Sequence, residues 1–423
     1  MKKNLTQIDL MLLGLMIISL PSLEAPKNIF LVGYLLTRVF SEILEWEKRI
    51  IKWNDWDSLF FAIIFTAFLS TIFAGMPHLE EWKGYGVLLT AILTGWVLSR
   101  AQYSRENYQG LFKLIVLGAV PPLLWGLYQY FITQTKGSIE LHSVGHVNHS
   151  AIYLVMIFGA SLGWLLSYLG LDKFKMKIPN LHILAVGVLS LIFIICLIMS
   201  QSRGAYGVSI FLALVIFLCL GKSKKIKLFG SILIVLIVLL SIILKTGVIE
   251  KQIANQEAKN VLSSRDKVWN VSLEAYRFSP ILGIGLSNWH FITLDQLKKS
   301  VEGRREKFDA NNYLFPGHSH NLYLSALVER GIIGLLVTLS FMLFWLRHIV
   351  KTYDWATKSQ ESTRLWSGSL AAWASTFVIG LVNTTFHHEH AILACLFLGI
   401  YLSYTRQHLM TKIILVKKTK KAG

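Results

Sequence analysis

Residues 181–221 read LHILAVGVLSLIFIICLIMSQSRGAYGVSIFLALVIFLCLG. Two apolar runs, each about as long as a bilayer core requires, flank a polar turn that holds Arg203. In lipid, all backbone polar groups must be hydrogen-bonded within the protein, which favours helices for such runs. The stretch therefore predicts two transmembrane helices joined by a turn with one arginine.

The same pattern recurs along the whole chain. Its 423 residues are 54% hydrophobic and only 16% charged, with a mean hydropathy of +0.52, whereas a soluble domain has about 25% charged residues. We predict an all-α polytopic membrane protein with about 12 transmembrane helices. The predicted spans are residues 8–24, 28–44, 57–75, 84–100, 110–133, 149–170, 181–200, 204–221, 226–245, 320–347, 365–385 and 390–407.

The distribution of basic residues predicts the orientation. With both termini in the cytoplasm, most Lys and Arg residues fall in inside loops and tails, as the positive-inside rule requires. The net charge of +18 then reflects topology and attraction to anionic membrane lipids. Its dispersal over many short loops argues against nucleic-acid binding. The short outside loops carry Lys27, Lys83, Lys136 and Arg203.

One long loop divides the chain into three parts. Residues 1–245 are predicted to hold spans one to nine, and residues 246–319 form a large outside loop. Residues 320–423 then hold spans ten to twelve and a basic cytoplasmic tail. The loop contains aromatic residues and an amphipathic pattern over residues 264–276, so we expect it to contain helices.

Two arginines are candidate anion-binding residues. A charged side chain near membrane depth is costly and usually functional, and the guanidinium of Arg203 suits phosphate oxygens. Arg265 begins the predicted loop helix beside Ser263 and Ser264, where a helix N-terminus favours anions. The alternatives are an Arg203 that only reaches the head groups and an Arg265 that pairs with Asp266.

Residues 318–321, His-Ser-His-Asn, place two histidines where the loop meets the tenth span. An imidazole there can accept a proton from a hydroxyl, and nearby arginines favour its neutral form. We assign this role to His320, and we expect His318 and Asn321 to contact substrate or orient the ring. The alternative is an interfacial histidine bonded to backbone. Gly331 and Gly334 share a helix face, which predicts close helix packing.

Two further histidine clusters flank other spans. His and Glu residues are suitable zinc ligands, so a metal site is an alternative, but the spacings match no strong metal pattern. We predict no metal and no cofactor, and interpret the clusters as lining an acceptor cleft or contacting lipid phosphates. From them, His146, His149 and His388 are the candidate substrate-binding residues. The clusters are His142, His146 and His149, and His387, His388, Glu389 and His390.

Taken together, these segments resemble the O-antigen ligase and polymerase superfamily. His320-Asn321, nine residues and then Gly331-x-x-Gly334 match its signature. Arg203 lies in a similar Ser-Arg-Gly-Ala stretch, and Arg265 precedes Trp269 and a Pro-x-Leu-Gly-x-Gly run at 280–285. Residues 145–149 resemble its short Gly/Asn stretch. Within the superfamily, length, span number and the single late loop are most similar to the ligases of lipopolysaccharide assembly.

The resemblance implies a GT-C-like fold and an inverting, metal-independent glycosyltransferase in the bacterial inner membrane, with a periplasmic active site. The donor would be O-antigen linked to undecaprenyl pyrophosphate, and the acceptor a sugar hydroxyl of the lipid A core oligosaccharide. Arg203 and Arg265 would hold the pyrophosphate, and His320 would activate the hydroxyl. An O-antigen polymerase, a protein O-oligosaccharyltransferase and a polytopic transporter remain as alternatives, although the charges lie away from the midplane sites typical of transporters.

Overall fold

The computed structural model describes residues 2–44, 52–141, 144, 146–169, 181–257, 260 and 262–422, with only backbone for residues 2–4 and 408–422. Over these ranges the regular structure is helical, without a strand. Short 3-10 turns occur at Asn288–Phe291, Ala310–Asn312 and Ile379–Leu381. The helices are α1 (Lys2–Ser19), α2 (Glu24–Leu44), α3 (Asp55–Ile72), α4 (Glu80–Ser99), α5 (Arg105–Gly118), α6 (Val120–Phe131), α7 (Val147–Leu169), α8 (Leu181–Met199), α9 (Arg203–Leu220), α10 (Lys224–Ile243), α11 (Gly247–Glu257), α12 (Arg265–Tyr276), α13 (Leu294–Gly303), α14 (Leu322–Lys351), α15 (Tyr353–Ala356), α16 (Gln360–Phe377) and α17 (His388–Ala422).

The helical content is consistent with a polytopic membrane protein. Within the described residues, seven helical segments are long and apolar enough to cross a bilayer. Two of them, α8 and α9, correspond to the opening sequence stretch and are joined by the turn before Arg203. The remaining predicted spans lie in α1, α2, α4, α16 and α17, and the total of twelve stays a prediction. The seven are α3, α5 with α6, α7, α8, α9, α10 and α14.

Helix α7 lies at the centre of the bundle and packs against α8, α9 and α16. Close approach depends on small residues, as is common between membrane helices. A Cβ at Gly163 would clash with the Ser367 side chain of α16, and one at Gly159 would meet Ala371 and Leu212 at 2.6 Å. In contrast, α10 exposes a continuous apolar surface that includes Phe229, Val235 and Ile243, as expected of a lipid-facing helix.

The large loop has a small core of its own. Val268, Val271 and Ala275 of α12 are buried together with Trp289 and with Leu297 of α13. The pattern at residues 264–276 therefore predicted α12 correctly. Trp289 Nε1 donates to Ser272 Oγ at 3.1 Å, which satisfies the polar group of this buried side chain. These contacts fix α12, whose first residue is Arg265, as part of a packed unit.

The loop is fastened to α14 at a break in that helix. Gly331 has φ 65° and ψ −169°, which is not helical. Here the segment 280–285 pairs with the chain: Ile284 N donates to Val328 O, Gly285 N to Glu329 O, and Ile332 N to Pro280 O, at 2.9–3.1 Å. A Cβ on Gly331 would lie 2.1 Å from Ile281 O.

This geometry corrects the interpretation of the glycine pair. Gly331 and Gly334 were expected to provide one helix face for packing against another helix. Instead, Gly331 allows the break in α14 and the close approach of the loop backbone. A Cβ on Gly334 would meet the side chain of Arg330 at 2.2 Å, so this glycine leaves room for a residue of its own helix.

Candidate functional site

Residues from five distant parts of the chain meet at one end of the helix bundle, which we call the site end. They are Arg203 at the start of α9, Arg265 at the start of α12, His149 in the first turn of α7, residues 318–320 before α14, and residues 387–390 around the start of α17. Ring contacts and hydrogen bonds connect these segments. The structure thus brings together arginines and histidines that the sequence places far apart.

Arg203 links α9 to the large loop. Its Nη1 donates to Gln252 Oε1 at 2.5 Å, and its Nη2 donates to Ser263 Oγ at 2.6 Å. Asn255 also donates to Ser263 Oγ, at 3.1 Å. The contacts orient the guanidinium toward the loop, where Arg265 begins α12. An Arg203 that merely reaches for head groups would not require such partners.

Arg265 and Lys251 complete a group of three cations with Arg203, which we call the cation cluster. Loss of solvation and the charge of Arg203 lower the pKa of Arg265. Loss of solvation and the charges of Arg203 and Arg265 likewise lower the pKa of Lys251 on α11. Each of these two pKa shifts includes repulsion by a neighbouring cation, so the three charges form one electrostatic group.

Arg265 keeps an unused hydrogen-bond donor. Its buried Nε has no hydrogen-bond partner among the described residues. Ser264 has φ 58°, and its side chain makes no capping hydrogen bond to α12. Ser263 binds Arg203 instead. The N-terminus of α12 and the unpartnered guanidinium nitrogen therefore both favour negative charge.

His320 lies between the cation cluster and the other histidines. Its backbone is in the left-handed region at φ 49°, a costly conformation for a non-glycine residue. Burial, His318 and Arg265 lower the pKa of His320 to about 4, despite a side-chain hydrogen bond to Asn383. Its buried Nδ1 has no partner within the described part of the chain. The ring is therefore neutral at pH 7 and can accept a proton.

Asn321 caps α14. Its Oδ1 accepts from the backbone N–H groups of Tyr323 and Leu324 at 2.9 and 3.0 Å. Its Nδ2 donates to Leu381 O at 2.9 Å. The amide therefore fixes the helix start that presents His320, and contact of Asn321 with substrate or with the imidazole stays a prediction.

The separate histidine clusters of the sequence form one group. The His318 and His320 ring centroids are 4.1 Å apart, and His318 lies 6.5 Å from His387. His149 lies 4.8 Å from His387 and 5.2 Å from His388. Candidates His146 and His149 are 5.3 Å apart. His142 lies outside the described residues. The buried His390, 5.2 Å from His149, belongs to the same group.

The histidines of this group do not share a single ligand geometry. Among the side chains that the structure describes, no three His, Cys, Asp or Glu residues form an arrangement that could hold a metal ion. Glu389 has a different partner, because its Oε1 accepts from Lys27 Nζ at 2.5 Å in a buried ion pair. This pair joins α2 to α17 beside the histidines.

A cavity of about 370 Å³ adjoins the histidine group, bounded by α4, α14 and the turn at residues 286–290. His318 and His387 line its upper end, and Glu329 and Arg330 line it further along α14. Burial together with neighbouring histidines lowers the pKa of both His318 and His387. The cavity and the cation cluster thus both adjoin the His318–His320 pair, because His318 lines the cavity and the charge of Arg265 acts on His320.

Sequence reasoning missed several members of this site. Lys251 lies among other polar residues, and Asn383 lies near the end of the predicted span 365–385, so neither has a local signal. His387 and His390 were recognised as part of a histidine cluster but not as site residues. Their ring nitrogens, His387 Nδ1 and both of His390, are buried without partners among the described residues. Only tertiary structure places them against His149.

Within the described residues, the apolar helices are consistent with a multi-pass membrane protein, and the cation cluster and the histidine group lie near each other at one end of the bundle. Residues 188–339, about a third of the chain, match the sequence model of the O-antigen ligase family. The match supports membership in the O-antigen ligase superfamily, whose members are glycosyltransferase-like enzymes. It includes Arg203, Arg265, His318 and His320, together with the break at Gly331. A search of curated proteins found no match.

Proposed function

We propose that this protein is an O-antigen ligase, which transfers O-antigen from undecaprenyl pyrophosphate to a sugar hydroxyl of the lipid A core oligosaccharide. The observation that carries the proposal is the neutral His320 beside the cation cluster. A base and an anion site side by side are what glycosyl transfer from a pyrophosphate donor requires. The reaction would take place at the periplasmic face of the bacterial inner membrane.

The donor pyrophosphate would bind at the cation cluster. Arg203 and Arg265 can each offer two N–H groups to phosphate oxygens, a geometry that a lysine lacks. During transfer, the bond between the anomeric carbon and the phosphate oxygen breaks, and undecaprenyl pyrophosphate leaves with the electron pair. The cations stabilise the charge that develops on this leaving group, which is where a fixed charge lowers the barrier most.

The acceptor hydroxyl would approach from the histidine side. Its oxygen attacks the anomeric carbon from the face opposite the leaving group, so the configuration inverts. His320 accepts the hydroxyl proton, and its low pKa keeps it in the form that can do so. His318, His146, His149 and His388 would line the route of the acceptor. Asn321 acts indirectly, as the cap of α14.

The proposal is tested with purified protein, an undecaprenyl-pyrophosphate-linked O-antigen and rough lipopolysaccharide, with a higher-mass lipopolysaccharide as the readout. We expect Arg203→Lys and Arg265→Lys to lower the rate by about 10- to 100-fold, since each loses a charge-assisted bidentate contact. Arg277→Lys is the matched control, because this exposed arginine follows α12 but lies outside the site. Wild-type transfer by His320→Ala would refute the base role.

Two arms of the assay address the other predictions. We expect the rate to persist in excess EDTA, and a loss that added zinc or magnesium restores would overturn the metal-independent mechanism. Donor incubated without lipopolysaccharide separates the polymerase alternative: longer lipid-linked glycans in that tube would identify a polymerase instead.

A further inference from the structure

The cation cluster and the cavity beside α14 differ in hydrogen-bonding character. The cation cluster offers N–H donors, which suit phosphate oxygens. The cavity beside α14 offers acceptors as well: the carboxylates of Glu80 and Glu329, and the hydroxyl groups of Ser325 and Thr384. Sugar hydroxyl groups are donors that carboxylates bind well, so the cavity fits a different part of the reaction from the cation cluster.

Glu329 is held in place within this cavity. It lies on α14 seven residues after Leu322, about 10 Å along the helix. Its backbone carbonyl accepts from Gly285 N at 3.1 Å and Ser70 Oγ at 2.6 Å, which fixes the main chain from two sides. The backbone N–H of Ser287 lies near its carboxylate and favours the charged form. The main chain that carries Glu329 is therefore fixed where the large loop binds α14.

The side chain of the neighbouring Arg330 has its own partner on α14. Arg330 is buried, and its Nη2 donates to Thr338 Oγ1 at 2.9 Å on the same helix. Its positive charge can balance that of the adjacent Glu329, while the carboxylate oxygens of Glu329 stay available to a ligand in the cavity. A charge this deep in an apolar helix is costly and marks a functional position by default.

The size and lining of the cavity select the class of ligand. Its volume of about 370 Å³ falls within the range of small-ligand sites. Apolar surfaces of Val87, Leu88 and Phe386 form part of the wall and suit the C–H faces of sugar rings. A lipid acyl chain would fit these surfaces but would leave Glu329 in contact with hydrocarbon, at a large desolvation cost.

We propose that this cavity binds the acceptor saccharide and that the Glu329 carboxylate accepts hydrogen bonds from its hydroxyl groups. The inference rests on the proposed function, because it assigns the acceptor to the cavity and the donor pyrophosphate to the cation cluster. Glu329 is then a substrate-binding residue that determines acceptor affinity. His318 lines the cavity, and its ring centroid lies 4.1 Å from that of His320. It therefore connects the proposed acceptor site to the proposed base.

Binding of two probes to the same purified protein tests the inference directly. The probes are undecaprenyl pyrophosphate and a delipidated core oligosaccharide from rough lipopolysaccharide. We expect Glu329→Gln, which keeps the side-chain shape, to weaken oligosaccharide binding by about tenfold while the Kd for undecaprenyl pyrophosphate stays within about twofold. Arg265→Lys should weaken the binding of undecaprenyl pyrophosphate and leave the Kd for the oligosaccharide unchanged. Glu302→Gln on the exposed face of α13 is the matched control and should change neither.

The outcomes separate this inference from the proposed function. Unchanged oligosaccharide affinity in Glu329→Gln, equal loss of both probes, or no oligosaccharide binding by the wild type would overturn the saccharide site. If both probes bind as expected but no glycan is transferred, the proposed function fails and the saccharide site stands. If transfer proceeds and Glu329→Gln has the wild-type KM for the acceptor, the function stands and the inference fails.

Discussion

Replacing Gly331 by alanine should push the large loop away from α14 at the break in that helix. Gly331 has φ 65° and ψ −169°, a conformation almost restricted to glycine. The added Cβ would lie 2.1 Å from Ile281 O and 2.6 Å from Leu282 N. Since ordinary contacts of this kind begin near 3.4 Å, the segment 280–285 must move away by roughly 1 Å.

The cost of this substitution can be estimated from its parts. The backbone strain amounts to about 1–3 kcal/mol. The displaced segment also weakens the hydrogen bond from Ile332 N to Pro280 O, now 2.9 Å, which is worth about 1 kcal/mol. We therefore expect Gly331→Ala to lower the free energy of unfolding by about 2–4 kcal/mol. The same movement shifts Gly285 away from Glu329 O and so disturbs the cavity.

Thermal unfolding of the detergent-solubilised protein measures the effect, with Gly110→Ala as the control. A Cβ on Gly110 of α5 meets no atom within 4 Å, so this change should be neutral or slightly stabilising. Glycan transfer by Gly331→Ala, measured below its melting temperature, should show a higher KM for the acceptor. Unfolding of Gly331→Ala at the same temperature as Gly110→Ala would refute the account of the break in α14.

Three further predictions concern charge at the site end. Because the pKa of His320 is lowered to about 4, this base stays neutral well below pH 6.5. We therefore expect kcat/KM to stay constant down to about pH 5. An inflection near pH 6.5 in the pH–rate profile would contradict the assignment of His320 as the base. The same pKa shift makes His320 contribute stability that is present above pH 6.5 and lost as the pH falls toward 4. Between these pH values only the unfolded state takes up the proton. Melting temperatures measured over this pH range check the sign. In the buried Lys27–Glu389 pair, we expect Lys27→Met alone to lower the free energy of unfolding by about 3–5 kcal/mol, since it leaves a buried carboxylate unpaired. The double mutant Lys27→Met/Glu389→Gln should recover most of this loss. A double mutant as unstable as the single one would show that the pair is not the cause.

The predictable parts of this protein are those with local signals. Apolar runs and the polar turn before Arg203 predicted α8 and α9, and the amphipathic pattern predicted α12 from its first turn onward. Hydropathy acts on each segment separately, so it indicates where helices form but not which helices touch. The contact of His149 with His387 depends on how α7 and α17 pack, which no single segment specifies.

Two residues of the sequence motif have a role that sequence reasoning missed. Asn321 was predicted to contact substrate or orient the imidazole, which stays a prediction, and Gly331 was predicted, wrongly, to pack against a second helix. In the structure both serve the backbone of α14, one as its cap and the other at its break. Polar and small residues near helix ends are often needed by the main chain, whose N–H and C=O groups must be satisfied first. A motif that combines them with a histidine therefore mixes scaffold and site residues.

The scaffold also explains why the cationic side of the site can exist without a ligand. Gln252 and Ser263, both neutral, contact Arg203, so these contacts do not cancel the positive charge. Repulsion within the cluster is reflected in the lowered pKa values of Arg265 and Lys251. The packed core of the large loop, with Trp289 at its centre, offsets this repulsion by holding α12 in place. A pyrophosphate would relieve the repulsion and raise both pKa values, so its binding should stabilise the loop against unfolding.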